Sequence, residues 1–141
     1  MATSIKEIII KSHPGYFSNP IYEDKLRITE NGLFYKKTNI FDKNEGEHLE
    51  DVTWSYKSNS KEYKKLFSKL DKLFKEYEYI PQGHFLDAGC FTISIKYFDG
   101  KKDSYFFFNV GEYIDKKIIT ALKIISKMVP DSEDPMSYLF K

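Results

Sequence analysis

WSYKSNSKEYKKLFSKLDKLFKEY, residues 54–77, closes a strand, caps a helix and lays out both faces of that helix in one run. Tyr63, Leu66, Phe67, Leu70, Leu73, Phe74 and Tyr77 recur at i, i+3, i+4 and i+7, the period of one apolar helical stripe. Lys61, Lys64, Lys65, Lys69, Lys72 and Lys75 occupy the opposite side. Asn59 or Ser60 is placed to cap this helix. With Asn59 as the cap, Glu62 falls at the third helical position of a capping box. Pro81 limits the helix on its far side. On the near side Val52, Trp54 and Tyr56 alternate with Thr53, Ser55 and Lys57, the pattern of a half-buried strand.

Upstream, residues 5–11 form a first strand. Its Ile8-Ile9-Ile10 run predicts burial on both faces or a place at the centre of the sheet. Residues 22–38 read as a hairpin turning at Asn31-Gly32, with Tyr22, Leu26 and Ile28 on one parity. Residues 42–51, DKNEGEHLED, have neither strand nor helix period and read as an acidic connector. Downstream, Phe91, Ile93, Ile95 and Tyr97 share a face in FTISIKYF. Asp99-Gly100 then turns the chain into a return strand at residues 102–108. A two-residue turn there sets Lys96 opposite Asp103 and Ile93 opposite Phe106. A last helix spans about residues 112–128, with Ile114, Ile118, Ala121, Leu122, Ile125 and Met128 as its stripe, widened by Ile119 and Ile124. Pro130 stops it, and residues 130–141 form a tail, acidic and then apolar.

Together these elements predict one α+β domain over residues 1–141. It has two layers: a mainly antiparallel sheet of five to six strands and two amphipathic helices on one face. A chain of 141 residues buries roughly two thirds of its unfolded surface, enough for a core without staples. Cys90 is the single cysteine, so no internal disulfide forms. No apolar run reaches the ~20 residues that cross a bilayer, and residues 1–15 lack the long apolar region of a secretory signal. The expectation is a cytoplasmic protein with no membrane partner. A net charge of +1 supplies no global field toward nucleic acid, and Arg27, the sole arginine, limits bidentate base readout.

WSYKSNS followed by YKKLF, then DAGCFTISIKYFDGKKDSYFFF and IISKMVP, resembles a group of small uncharacterised bacterial proteins. These share a Trp-Ser-Tyr-Lys strand, a similar helix and a Lys-Met-Val-Pro ending. The resemblance covers about residues 4–130 and implies a shared fold. It implies no activity and carries over no functional residue.

Three features bear on chemistry. His84, Asp87 and Cys90 fall within seven residues, which suggests a metal site or a thiol nucleophile. A fourth ligand is lacking nearby, Cys90 borders an apolar strand, and a small buried residue at a strand start is the plainer reading. His13 and His48 stand in separate loops, and the glycines form no phosphate cradle. No cofactor or metal is expected. The acidic connector, with Asp42, Glu45, Glu47, Glu50 and Asp51, lacks a calcium ladder and reads as solvated, although such a run also permits mimicry of nucleic-acid charge.

The aromatic content, twelve Phe, eleven Tyr and one Trp, exceeds what a small core requires. Tyr105 and Phe107 lie on the parity opposite Phe106 and Phe108, so one pair is expected inside and the other exposed. The expectation is a non-catalytic module that binds a protein partner or itself through Tyr105 and Phe107, rimmed by Lys96 and Asp103. A mobile-element inhibitor of a host system, of anti-CRISPR type, is one form it takes. The rival is a nucleic-acid-binding module using Lys61, Lys65, Lys69 and Lys72, whose plainer reading is a solubilising face. A third reading is a small enzyme using Cys90 and His84.

Overall fold

The computed structural model describes residues 4–13, 21–41, 52–82, 89–108 and 114–129. In chain order the elements are β1 (Ile5–His13), β2 (Ile21–Thr29), β3 (Gly32–Phe41), β4 (Val52–Lys57), α1 (Lys61–Lys75), β5 (Cys90–Tyr97), β6 (Lys102–Phe108) and α2 (Lys116–Met128). The strands form a six-stranded sheet in the order β4-β3-β2-β1-β5-β6, and each neighbouring pair is antiparallel. This is the two-layer α+β architecture that the alternating and helical periods predict. No described helix is long and apolar enough to cross a membrane.

Strand alternation assigns the faces. Ile8 and Ile10 of β1, Leu26 and Ile28 of β2, Leu33 and Tyr35 of β3, Phe91, Ile93, Ile95 and Tyr97 of β5 and Phe107 of β6 are buried. They share one core with Tyr63, Leu66, Phe67, Leu70 and Phe74 of α1 and Ile118, Ala121, Leu122, Ile125 and Met128 of α2. Both helices therefore cover the same side of the sheet. β1 lies inside the sheet, between β2 and β5, as its isoleucine run predicts. A bulge between Ile5 and Glu7 shifts its register, so Ile5 and Ile8 both reach the core despite their odd spacing.

The chain leaves β4 at one edge, and α1 carries it across the inner face toward β5. The Tyr63 hydroxyl donates to the Thr29 carbonyl on β2 (2.7 Å), and Asp71 Oδ1 accepts from the Ile5 amide on β1 (3.2 Å). Beyond the helix, the Tyr77 ring meets Tyr105 of β6 edge-on at 5.2 Å. Ser60, not Asn59, is the N-cap, and its hydroxyl accepts from the Tyr63 amide. Tyr63 thus holds the third helical position, and the capping box with Glu62 does not form. The last helix starts at Lys116, later than the expected residue 112, because Asp115 caps it by accepting from the Lys117 amide (2.8 Å).

Both hairpins turn differently from the simplest reading. In β2–β3, Thr29 pairs with Gly32, so Glu30 and Asn31 form the loop. Gly32 is required by a close approach instead: a Cβ there would lie 2.4 Å from the Tyr56 carbonyl oxygen on β4. This two-residue slide leaves every side chain on its expected face. In β5–β6, Lys96 pairs with Lys102, and the Tyr97 amide donates to the Lys101 carbonyl (2.9 Å). Phe98, Asp99 and Gly100 form a three-residue loop, with Gly100 at φ 91°. Here the shift is one residue, and a one-residue shift exchanges the two faces of a strand.

Candidate functional site: the uncovered sheet face

That exchange relocates the expected contact surface. Phe107 is 1% exposed and stacks on Phe91 (centroids 5.1 Å, planes 26° apart). Tyr105 is half-buried on the helix side, against Tyr77 and Tyr79. Neither belongs to an exposed aromatic face, and the placement expected from sequence is corrected for both. The Lys96–Asp103 rim pair also fails to form. Lys96 faces Lys102, while Asp103 sits opposite Ile95 on the inner parity, 3.9 Å from Lys101 Nζ. On β6 the outward aromatics are Phe106, 42% exposed, and Phe108, its edge-on neighbour at 5.1 Å.

Among the described residues no element covers the outer face of the sheet, and its side chains align in cross-strand rows. Thr53 of β4 pairs with Lys36 of β3, Lys36 with Lys25 of β2, and Lys25 with Lys11 of β1. Lys11 in turn pairs with Thr92 of β5, and Thr92 with Phe106 of β6. Three lysines thus stand directly opposite one another on three adjacent strands. Like charges in this relation destabilise a sheet. Among the described residues no carboxylate forms an ion pair with any of the three. They line a shallow concavity of about 320 Å³ with Glu23, Thr38 and Thr92.

The next row reads Ser55, Phe34, Arg27, Ile9, Ser94 and Ser104 from β4 to β6. Phe34 is 37% exposed, and the Arg27 guanidinium lies 5.5 Å from its ring centroid. Arg27 also pairs with Glu7 at 2.6 Å. A second concavity of about 330 Å³ lies over β1, β5 and β6, lined by Glu7, Ile9, Ser94, Lys96, Lys102 and Ser104. Among the described strand residues the outer face therefore carries seven basic side chains, Lys11, Lys25, Arg27, Lys36, Lys57, Lys96 and Lys102, against Glu7 and Glu23.

This positive face sits on a positive body. The described residues hold 20 basic and 11 acidic side chains, although the whole chain is at +1. The balance lies in segments such as residues 42–51 and 130–141. A whole-chain charge near zero does not by itself fix the sign of a local surface, because that sign depends on which charges are near one another.

The other candidates carry less. Lys61, Lys65, Lys69 and Lys72 are exposed on α1, as the helical period requires, and they point away from the sheet. Glu62 on the same helix and Glu76 at its C-cap are exposed, and Lys75 is paired with Asp71 at 3.2 Å. His84, Asp87, His48, the acidic connector and the tail lie outside the described residues. His13 ends β1 instead of standing in a loop, directly opposite Cys90. Burial and then the Glu23 carboxylate push the Cys90 thiol up, which favours the protonated form over a nucleophilic thiolate. On the inner face Asp24 is buried and accepts from the hydroxyls of Ser12 and Tyr35, so its two carboxylate oxygens are satisfied within the core.

The C-terminal half of the β6 edge is also occupied. The Tyr79 hydroxyl donates to the Phe106 carbonyl (2.7 Å). The Gln82 amide both donates to the Phe108 carbonyl (3.2 Å) and accepts from its N–H (2.6 Å), in place of a further strand. No family model matches the chain, and neither a curated protein nor a solved structure matches it.

Proposed function

We propose that this chain is a non-catalytic binding protein that takes an anionic partner on the uncovered face of its sheet. One observation carries the reading: Lys11, Lys25 and Lys36 are aligned on adjacent strands without carboxylate partners among the described residues. Mutual repulsion makes that alignment costly to the free protein, and a bound anion relieves it. The exposed Phe34 and Phe106 beside the lysines add apolar contact area at the same surface. An inhibitor that occupies a host protein's acidic surface is one form of such a binder. Self-association is another, with an acidic segment of a second copy as the anion.

The test compares three immobilised proteins: the wild type, a sheet-face variant (Lys11→Glu, Lys25→Glu, Lys36→Glu) and a helix variant (Lys65→Glu, Lys69→Glu, Lys72→Glu). Retention of acidic ligands such as heparin should be lost in the sheet-face variant and persist in the helix variant. The opposite pattern transfers the function to the α1 ridge and overturns this reading. Sedimentation of the wild type at rising salt detects self-association. A dimer that survives Lys25→Glu would also count against it.

A further inference from the structure

Resting on that reading, we infer that the anion is single-stranded nucleic acid, with phosphates on the Lys11–Lys25–Lys36 row and bases stacked on Phe106 and Phe34. The lysine row and Phe106 belong to one continuous cross-strand line, with Thr92 between them. Phe34 stands two residues before Lys36 on the same strand and face, at the other end of the row. From β3 to β6 there are four strand spacings, about 19 Å at the usual ~4.8 Å each, room for several nucleotides. An open platform of this kind, with cations along the backbone track and partly exposed rings for base faces, is the chemistry by which unpaired strands are held without sequence readout.

Two rivals fit less well. A duplex would use the lysines but leave both rings idle, because its bases are already stacked on one another. An acidic protein surface would use the lysines but needs a continuous apolar centre at the interface. Phe34 and Phe106 lie on strands separated by β2, β1 and β5, and lysines occupy the space between them. Hydroxyls of Ser55, Ser94, Ser104, Thr53 and Thr92 stand in the same two cross-strand rows, in keeping with sugar and phosphate contacts.

The experiment is fluorescence anisotropy of the full chain with labelled RNA and DNA single strands of about 12 nucleotides and mixed sequence, at several salt concentrations. Heparin and duplexes of the same sequences serve as competitors. The wild type should bind single strands in preference to duplex. Replacing Lys11, Lys25 and Lys36 with Gln should weaken binding at least tenfold and flatten the salt slope by about 2, for three phosphates at ~0.7 each. Phe34→Leu with Phe106→Leu keeps the apolar bulk and removes the π faces. It should weaken oligonucleotide binding roughly fivefold or more while leaving heparin binding unchanged. Circular dichroism and thermal melting confirm that each variant is folded.

Each contrary result has its own meaning. If the lysine changes weaken all ligands and the phenylalanine changes weaken none, the nucleic-acid inference fails and the anion-binding reading stands. Equal affinity for duplex and single strand has the same consequence. If oligonucleotide binding responds only to Lys65, Lys69 and Lys72, both fail. Absence of oligonucleotide binding at low salt overturns the inference, and the heparin arm then decides the broader reading.

Discussion

Phe107 stacks on Phe91 across β5 and β6, with ring centroids 5.1 Å apart inside the core, while the adjacent Phe106 faces outward at 42% exposure. The contrast between these neighbours is set by the three-residue loop that ends at Gly100. Phe107→Ala should cost about 3–5 kcal/mol, the usual loss for a buried phenylalanine. Phe106→Ala should cost clearly less, because that ring already keeps 42% of its surface in water. Urea denaturation of the two variants measures the difference. A larger loss at Phe106 would mean that the strand is turned the other way.

The two glycines fail under substitution for different reasons. Gly32→Ala places a methyl 2.4 Å from the Tyr56 carbonyl, so β4 must shift, at a cost of about 1–3 kcal/mol. Gly100→Ala meets nothing within 4 Å, but its φ of 91° is unfavourable for an L side chain, at about 1–2 kcal/mol. Gly100→Asn should recover part of that loss, because Asn tolerates the left-handed region better than Ala. Gly32→Asn should not. Thermal melting of the four variants distinguishes backbone strain from steric contact.

Lys25 is flanked by Lys36 and Lys11 in register. Lys25→Glu converts two repulsive cross-strand pairs into attractive ones and should stabilise the fold by about 0.2–1 kcal/mol per pair. The gain should shrink as salt rises, because these groups are exposed. Denaturation at low and high ionic strength tests this without knowledge of any ligand. A destabilised Lys25→Glu variant would show that the three amines are not close enough to repel.

Alkaline pH should loosen the fold through its buried phenols. Burial, and then the Asp103 carboxylate, push Tyr97 up to about 12. Burial and then Tyr56 raise Tyr63 as well. An unfolded tyrosine titrates near 10, so the folded state holds the proton more tightly than the unfolded one. The contribution is therefore complete below about pH 10 and declines as pH rises toward the folded values. Urea midpoints should fall across that interval while tyrosinate absorbance develops late. Tyr97→Phe should flatten part of the decline. A midpoint constant to about pH 12 would contradict the burial of these hydroxyls.

The sequence by itself determined the elements and the layers. The stripe from Tyr63 to Phe74 fixed α1, the alternation in residues 91–97 fixed β5, and the isoleucine run placed β1 within the sheet. These signals are local, since period and capping depend on residues a few positions apart. The inward turn of Tyr105 and Phe107 was decided by whether the loop after Tyr97 holds two residues or three. Asp99-Gly100 is compatible with both, and the packing of Tyr105 and Phe107 against Tyr77, Tyr79 and Phe91 goes with one of them. The lysine row was still less legible. Lys11, Lys25 and Lys36 are recognisable one by one as outward residues, but their alignment requires the register of two strand pairs and the order β3-β2-β1. That arrangement belongs to the tertiary structure alone, because long-range pairing, not local periodicity, brings these charges side by side.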